Sequence, residues 1–322
     1  MITVIAGGVG AARMLRALLK VVDADEVTAI VNVGDDLELH GLHISPDLDT
    51  VTYTLADAIN PETGWGLVNE TWQARTMLEQ YGGQSWFGLG DRDLGTHLYR
   101  TQRLNEGADL AAVTAEIAAA WNLGLTLLPA TCDRLRTMVT LAANDDTEAL
   151  YEPLSAGTEI SFQEYFVRRQ HSVPISAVRF DGAEACRPTP GVLDAIASAE
   201  RIVIAPSNPL VSIAPVLAVP GIRDALLKRR SDVVAVSPII AGAALKGPAD
   251  RMLTELGHEP SVLGVAALYA SFAGTLVIDS EDADHHAAVE ELGLNCVLAE
   301  TIMSKPGVSE LLARTVLSGV IA

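Results

Sequence analysis

The chain has 322 residues, with 41 Asp and Glu against 22 Lys and Arg, so its formal net charge is −19. This length suits one large α/β domain with insertions or two domains, and a hydrophobic content of 49% is enough to build a core. A strongly negative field repels nucleic acid and anionic membrane surfaces, so we expect neither as a partner. An anionic ligand would need a metal ion, a cationic side chain or a helix N-terminus.

The cysteines and the uncharged stretches of the sequence indicate in which cellular compartment the protein is expected. Cys132, Cys186 and Cys296 lie far apart without a CxxC motif, which favours reduced thiols in a cytoplasm over a disulfide framework. The first residues show no basic segment and no long apolar run, so we expect no signal peptide. Proline or glycine interrupts the uncharged stretches 202–222 and 261–278, which argues against a membrane span. We therefore expect a cytoplasmic protein.

The chain begins with a predicted buried strand over 2–6, the glycine loop GGVGAAR and an amphipathic helix. This order is typical of nucleotide-phosphate sites, because glycines let the backbone approach a phosphate and a helix N-terminus attracts it. The pattern is incomplete, since Arg13 stands where the dinucleotide fingerprint has its third glycine, and no GK[ST] follows. A tight turn without a ligand stays an alternative. Asn32 ends the second strand, where a dinucleotide enzyme would prefer an acid.

The stretch VNVGDDLELHGLHISPDLDT, residues 31–50, concentrates acidic residues between glycines and a proline that forbid a simple helix. Its carboxylates are Asp35, Asp36, Glu38, Asp47 and Asp49. We predict a loop at the carboxyl edge of an α/β sheet, where ligands bind in such folds and where carboxylate oxygens suit Mg²⁺. A solvated acidic loop is one alternative, and a helix cap formed by Asp47 or Asp49 is another. His40 and His43 favour zinc less, since no third ligand motif follows.

Residues 60–130 depart from the alternation of strand and helix. Helices are predicted over 70–81, 94–104 and 110–121, and aromatic residues concentrate in this part of the chain. We interpret 60–195 as an inserted, mainly helical lobe that covers the ligand face of the sheet, with an ordinary helical core as the alternative. Its loop FGLGDRDLGTH carries polar side chains, among them Asp91, Arg92, Asp93 and His97.

Strands and helices alternate again from residue 196, which predicts a parallel, doubly wound sheet. The expected core therefore combines 1–59 with 196–322. Polar residues follow predicted strands at three places in this second part: Ser207 and Asn208, Ser237, and Lys246 further on. Because parallel strands end at the same edge of a sheet, we expect these groups to converge.

Several segments, in order along nearly the whole chain, resemble the 2-phospho-L-lactate transferase family, which builds the deazaflavin coenzyme F-420. They are IAGGVGAAR, SPDLDT, WFGLGDRDLGTH, APSNPLVSIAPVL and SPIIAGAALKGP. The tryptophan-containing forms GWG and WFGLGDRD resemble the actinobacterial branch, the phosphoenolpyruvate transferases. The resemblance implies a Rossmann-like, doubly wound, mostly parallel α/β sheet with an inserted helical lobe.

The resemblance also implies a reaction. A phosphoenolpyruvyl or 2-phospho-L-lactyl group moves from a guanosine-diphosphate-linked donor to the ribityl hydroxyl of 7,8-didemethyl-8-hydroxy-5-deazariboflavin, with Mg²⁺ required and GMP released. The product is coenzyme F-420-0 or its dehydro form. The two donors differ by one sp² carbon, which pockets separate weakly, so the choice between them stays open.

The family pattern further implies roles for residues of this chain. Asp35, Asp47 and Asp49 would hold Mg²⁺, and Asp49 or Asp35 would accept the proton of the attacking hydroxyl. Asp49 and Arg92 would contact the deazaflavin acceptor. Asp91 and His97, which lie in the same segment as Arg92, would also bind it. The donor-binding residues would be Gly7, Gly8, Gly10, Asn32, Ser207, Asn208, Ser237 and Lys246.

Two other classes of protein are alternatives. A non-catalytic, sugar-nucleotide-binding regulator of the same fold is the main alternative, but such proteins lack the paired SPDLDT and GDRDL segments present here. A nicotinamide-dependent oxidoreductase would need an acid at Asn32 and a full glycine fingerprint. The apolar C-terminal helix could be core or interface, and we predict a homodimer.

Overall fold

The computed structural model describes residues 1–145 and 152–319, and a seven-stranded parallel sheet lies at its centre. The strands, in chain order, are β1 (Ile2–Ala6), β2 (Val27–Val31), β3 (Leu37–Leu39), β4 (Leu42–Ile44), β5 (Thr126–Pro129), β6 (Arg136–Leu141), β7 (Glu159–Ser161), β8 (Ile175–Asp181), β9 (Arg201–Ile204), β10 (Val233–Val236), β11 (Ile239–Ile240), β12 (Ala243–Ala244), β13 (Thr275–Asp279) and β14 (Asn295–Ala299). The central sheet has the order β14-β13-β10-β9-β1-β2-β5. The predicted doubly wound, parallel α/β fold is thus confirmed.

Helices cover the sheet and build the segment above it. They are α1 (Gly8–Leu18), α2 (Pro46–Leu55), α3 (Gln73–Gln80), α4 (Asp93–Asn105), α5 (Leu110–Ala120), α6 (Val192–Ser198), α7 (Ala214–Ala218), α8 (Ile222–Lys228), α9 (Ala249–Glu255), α10 (Val262–Tyr269), α11 (His286–Glu291) and α12 (Val308–Ser318). Helix α1 packs against α2 and α12. In the described part of the chain, no single helix has the length and hydropathy to span a membrane, and only α7 with the short helical segment before it and α8, bent by 94°, pass that test as a pair.

Strands β1, β2, β10 and β13 are buried along their whole length, which is why they read as continuous apolar runs. The strand order reverses between β1 and β9, since β2 lies on one side of β1 and β9 on the other. A crevice outside the carboxyl ends of two such strands is where ligands bind in this fold. The predicted site therefore falls at the switch point of the sheet.

The range 60–195 is less uniform than the predicted helical lobe. It contains α3, α4 and α5 near the predicted positions, but also β5, which pairs with β2 in the central sheet. It also contains a separate antiparallel sheet of order β7-β6-β8. The bounds of the inserted lobe stay a prediction, and β5 belongs to the sheet that the lobe was expected to cover.

Gly10 illustrates how closely the elements meet at the switch point. A Cβ built on Gly10 would lie 2.0 Å from the carbonyl oxygen of Pro206, in the loop that follows β9. A real Cβ does not come so close to a backbone atom, so α1 and this loop could not keep their present distance with any other residue. The glycine is therefore needed for packing, independently of any phosphate.

We expect Gly10→Ala to lower the free energy of unfolding by about 1–3 kcal/mol or more, the range for overpacking a core. Gly95→Ala is the matched control, because Gly95 lies inside α4 and nothing is within 4 Å of its Cβ position. That change should stabilise the protein by about 0.5–1 kcal/mol through helix propensity. Urea denaturation of both variants measures the two effects, and equal effects would contradict the packing argument.

Candidate active site

A cavity of about 630 Å³ opens at the carboxyl edge of the sheet. Its lining brings together most of the residues singled out in the sequence. They are Gly7, Gly8, Gly10, Asp35, Asp47, Asp49, His97, Ser207, Asn208, Ser237 and Lys246. Segments that follow β1, β2, β9 and β10 all contribute, as expected for a site at the ends of parallel strands.

Asn32, Asp91 and Arg92 lie outside this lining. The Asn32 amide is fully buried, donates to Asp47 Oδ2 at 2.9 Å and accepts from the Gly34 backbone N–H, so it orients Asp47. Asp91 accepts the backbone N–H groups at the start of α3. The Arg92 guanidinium donates to a backbone carbonyl at residue 68. Their roles in ligand binding stay predictions, and in this structure each has a structural partner.

Asp35 and Asp47 are buried side by side, with 6% and 8% of their surfaces exposed. Neither forms an ion pair within the described residues. Burial, with the charge of Asp47 next in size, raises the pKa of Asp35 well above its usual value, and one oxygen of Asp35 has no hydrogen-bond partner. Burial also raises the pKa of Asp47 to about 7, although the amide of Asn32 opposes the shift. Two buried carboxylates without a counter-charge are unfavourable unless a proton or a cation joins them.

These two side chains fit a hard cation. Within residues 1–145 and 152–319, no group of three or more His, Cys, Asp and Glu side chains is arranged to hold a metal ion. Mg²⁺ does not require such a group, because it commonly uses one or two carboxylates and completes its coordination with water and substrate phosphates. Asp35 and Asp47 are therefore the residues that would hold Mg²⁺.

Asp49 is in a different electrostatic position. Both of its oxygens accept from the guanidinium of Arg100, one of them at 3.1 Å from Nη1. Arg100 is only 2% exposed, and although burial opposes it, the charge of Asp49 raises the pKa of Arg100. A bidentate, buried pair of this kind occupies the carboxylate, so in this structure Asp49 is engaged by Arg100 rather than free for a metal.

A second pair extends the network on α4. His97 Nδ1 lies 3.3 Å from Arg100, which can only donate, so Nδ1 accepts and we assign the ring proton to Nε2. Nε2 is 3.2 Å from Asp93 Oδ2, and the hydroxyl of Tyr53 donates to the other oxygen of Asp93 at 2.6 Å. Although burial opposes it, His97 lowers the pKa of Asp93. The cavity wall thus carries the connected set Tyr53–Asp93–His97–Arg100–Asp49.

Sequence reasoning missed Tyr53, Asp93 and Arg100 as members of this site. Asp93, His97 and Arg100 are spaced i, i+4 and i+7 within DLGTHLYR, which places them on one face of a helix. That spacing was the available signal. Three polar groups on one helical face are most easily explained by partners on a facing element, here α2.

The loop residues at the other strand ends line the cavity while their side chains hold the loops. The Ser207 hydroxyl donates to the Gly7 carbonyl at 2.6 Å. The side-chain oxygen of Asn208 accepts from the Leu210 backbone at 2.9 Å, and the Ser237 hydroxyl bonds within its own turn. These hydrogen bonds fix the shape of the loops at the sheet edge, and the roles of these side chains in binding the donor stay predictions.

Aromatic side chains form two further parts of the lining. Trp65 and Phe87 come from the segment before α4, and Trp65 meets Trp72 edge-to-face at 6.1 Å. Phe162 and Phe166 stack at 5.4 Å near β7, where the sequence had suggested no chemistry. Flat apolar walls on two sides suit a ligand with a large ring system.

Fold and cavity together define a Rossmann-like α/β protein whose small-molecule site lies at the switch point of its sheet. The model of the 2-phospho-L-lactate transferase family matches residues 2–303, so the chain belongs to that family. The resemblance noted in the sequence is thus confirmed, and the protein is a transferase of the phosphoenolpyruvate and 2-phospho-L-lactate transferase family.

Named relatives agree with this assignment. A phosphoenolpyruvate transferase of Kitasatospora aureofaciens is 43% identical over 320 residues, covering 98% of this chain and 97% of the relative. One from Mycobacterium avium is 41% identical over 318 residues and covers 92% of both chains. The crystal structure of a UPF0052 family member from Bacillus halodurans superposes with a TM-score of 0.65 at 17% identity, covering 98% of each chain, and supports the fold alone.

Removing Arg100 should expose the cost of a buried, uncompensated carboxylate. We expect Arg100→Met to lower the free energy of unfolding by about 3–5 kcal/mol, and the double variant with Asp49→Leu to recover much of that loss. Arg179→Met is the control, because its pair with Glu159 is half-exposed and should contribute about 1 kcal/mol or less. Denaturant unfolding of Arg100→Met, Asp49→Leu, the double variant and Arg179→Met measures these effects. If the effects of Arg100→Met and Asp49→Leu simply added in the double variant, this reading would be contradicted.

The raised pKa of Asp47 predicts how stability depends on pH. The folded, metal-free protein keeps a proton that the unfolded chain has already released between about pH 4 and pH 7, so stability falls as pH rises through that range. Between about pH 4 and pH 7, the free energy of unfolding of the wild type should fall by on the order of 2–4 kcal/mol relative to that of Asp47→Asn. Thermal or urea unfolding at matched pH values measures the difference. If the stability of the two proteins changed with pH in the same way, the raised pKa of Asp47 would be refuted.

Proposed function

We propose that this protein is a Mg²⁺-dependent transferase in the biosynthesis of coenzyme F-420. It moves a phosphoenolpyruvyl group, or a 2-phospho-L-lactyl group, from a guanosine-diphosphate-linked donor to the ribityl hydroxyl of 7,8-didemethyl-8-hydroxy-5-deazariboflavin. The products are the dehydro or saturated form of coenzyme F-420-0 and GMP. The observation that supports this most is the pair Asp35 and Asp47, which is buried beside the glycine loop and has no ion-pair partner among the described residues.

The reaction is an exchange of phosphorus–oxygen bonds. The acceptor hydroxyl oxygen bonds to the phosphorus that carries the three-carbon acid, the bond from that phosphorus to GMP breaks, and the hydroxyl proton leaves to a base. Such a transfer needs alignment and charge neutralisation more than covalent chemistry from the protein. When bound by Asp35 and Asp47, Mg²⁺ would supply that neutralisation.

The hydrogen bonds of Asp35 and Asp49 support different roles for these two candidate bases. Both oxygens of Asp49 accept from Arg100, whereas one oxygen of Asp35 has no hydrogen-bond partner in the described structure. Asp35 is therefore the better acceptor of the hydroxyl proton. Asp49, fixed by Arg100, is better suited to orient the acceptor by accepting a hydrogen bond.

The two ligands would occupy different parts of the cavity. The aromatic residues Trp65, Phe87, Phe162 and Phe166 would enclose the tricyclic ring of the deazaflavin. The donor would lie over Gly7–Gly10 and the loops after β9 and β10, with Lys246 beside its phosphates. We further propose that the protein is a cytoplasmic homodimer. Its three cysteines are free thiols, which supports the location. Most apolar side chains of α12 are buried in the monomer, so this helix does not itself indicate the dimer interface.

Turnover is the decisive test. Purified protein is mixed with the deazaflavin, Mg²⁺ and each guanosine-diphosphate-linked donor, and GMP and the new phosphodiester are followed by mass spectrometry. We expect product that is lost on EDTA treatment and falls by about 10²-fold or more in Asp35→Asn. Glu38→Gln removes the charge of an exposed carboxylate in β3, outside the cavity lining, and should retain activity.

The outcomes separate the candidate functions. Product formation that survives EDTA, or Asp35→Asn with full activity, would refute the metal site. Absence of both turnover and deazaflavin binding would favour the sugar-nucleotide-binding regulator of the same fold. The donor that reacts faster identifies the transferred group.

A further inference from the structure

Cationic side chains of this protein are scarce, and almost all of them are engaged. Within residues 1–145 and 152–319, the Lys and Arg side chains that make no hydrogen bond or ion pair are Arg13, Lys228, Lys246 and Arg314. Two of them, Arg13 and Lys246, line the cavity, and no other Lys or Arg does so. Arg16, one helical turn after Arg13, instead pairs with Asp57 and the Thr54 carbonyl.

The position of Arg13 sets it beside the glycine loop. It lies in α1, three residues after Gly10, and its side chain is exposed. Lys246 belongs to a different wall, in the loop after β12, where a Cβ on Gly64 would lie 2.9 Å from its Nζ. The two free cations therefore reach the cavity from separate elements.

The other charges of the cavity make these two cations necessary. The carboxylates in the lining are Asp35, Asp47, Asp49 and Asp93. Arg100 is outside the lining, and its guanidinium is already bound to Asp49. A diphosphate entering this cavity meets a negative surface except where Arg13 and Lys246 project, so the Coulomb interaction favours that side.

We propose that Arg13 binds the diphosphate of the guanosine-diphosphate-linked donor directly, together with Lys246. The assignment deepens the proposed function and rests on it for the identity of the donor. A guanidinium offers two parallel N–H groups to phosphate oxygens, which an ammonium cannot reproduce. Arg13 stands where dinucleotide-binding loops have their third glycine, and it adds at that position a charged group that a glycine cannot supply.

The experiment compares Arg13→Ala and Arg13→Lys with Arg314→Ala, which removes the same charge from an exposed helical position outside the cavity. Initial rates are measured against donor concentration at saturating deazaflavin and Mg²⁺. Calorimetric titration with GDP and Mg²⁺ gives a binding constant that requires no turnover. Lys246→Ala, with Lys228→Ala as its control, tests the second cation in the same way.

We expect Arg13→Ala to raise the donor KM and the Kd for GDP by roughly 10- to 100-fold, the range for a charge-assisted hydrogen bond. Arg13→Lys should recover part of this loss, because it restores the positive charge but not the two parallel N–H groups of the guanidinium. Arg314→Ala should behave as wild type, and the acceptor KM should not change in any of these variants.

The contrary results are distinguishable. Wild-type turnover with the same donor KM in Arg13→Ala and Arg314→Ala would overturn the assignment and leave the proposed function standing. Absent turnover would refute the proposed function, while the GDP titration would still decide the role of Arg13. A wild-type protein that binds no GDP would overturn both.

Discussion

The burial of negative charge at one edge of the sheet is the constraint on which the site depends. The four carboxylates concerned are Asp35, Asp47, Asp49 and Asp93, each less than a tenth exposed. Burying a carboxylate is unfavourable unless it is paired, protonated or bound to a cation. The chain compensates the last two with Arg100, His97 and Tyr53, and it leaves the first two without an ion-pair partner in the described structure. This difference distinguishes Asp49 and Asp93, which have partners within the protein, from Asp35 and Asp47, for which we propose Mg²⁺ as the partner.

The pairs that Asp49 and Asp93 form also determine how the helical segment packs on the sheet. Arg100 lies on α4 and Asp49 on α2, which packs on α1, so one buried ion pair links the segment above the sheet to the core. Tyr53 repeats the link one turn along α2 through Asp93. Because these contacts are buried and directional, they hold the cavity wall in one arrangement. The proposal of Asp35 rather than Asp49 as proton acceptor rests on this packing, because Arg100 engages both oxygens of Asp49.

The sequence predicted the central sheet well, because strands such as β2 are buried on both faces and need no alternation of polarity. It did not predict β3 and β4, since three-residue strands are too short for a period of two to appear among glycines and acids. It predicted that Asp35, Asp47 and Asp49 lie together, and they line one cavity, but it did not predict their different partners. Arg100 lies 51 residues from Asp49, and periodicity within one helix does not reveal which element it faces.

The net charge of the protein affects how it can bind an anionic ligand. A protein of charge −19 disfavours anionic ligands at long range, and screening reduces that penalty beyond about 10 Å, so recognition has to be local. The cavity lining contains carboxylates from the loop after β2, from α2 and from α4, together with cations from α1 and from the loop after β12. If Arg13 and Lys246 bind the donor phosphates and Asp35 and Asp47 hold Mg²⁺, as proposed, the cation would neutralise both the carboxylates and the phosphates. In that arrangement the unfavourable charge of each partner is offset by the other, which accounts for uncompensated carboxylates and unpaired cations being kept in the same cavity.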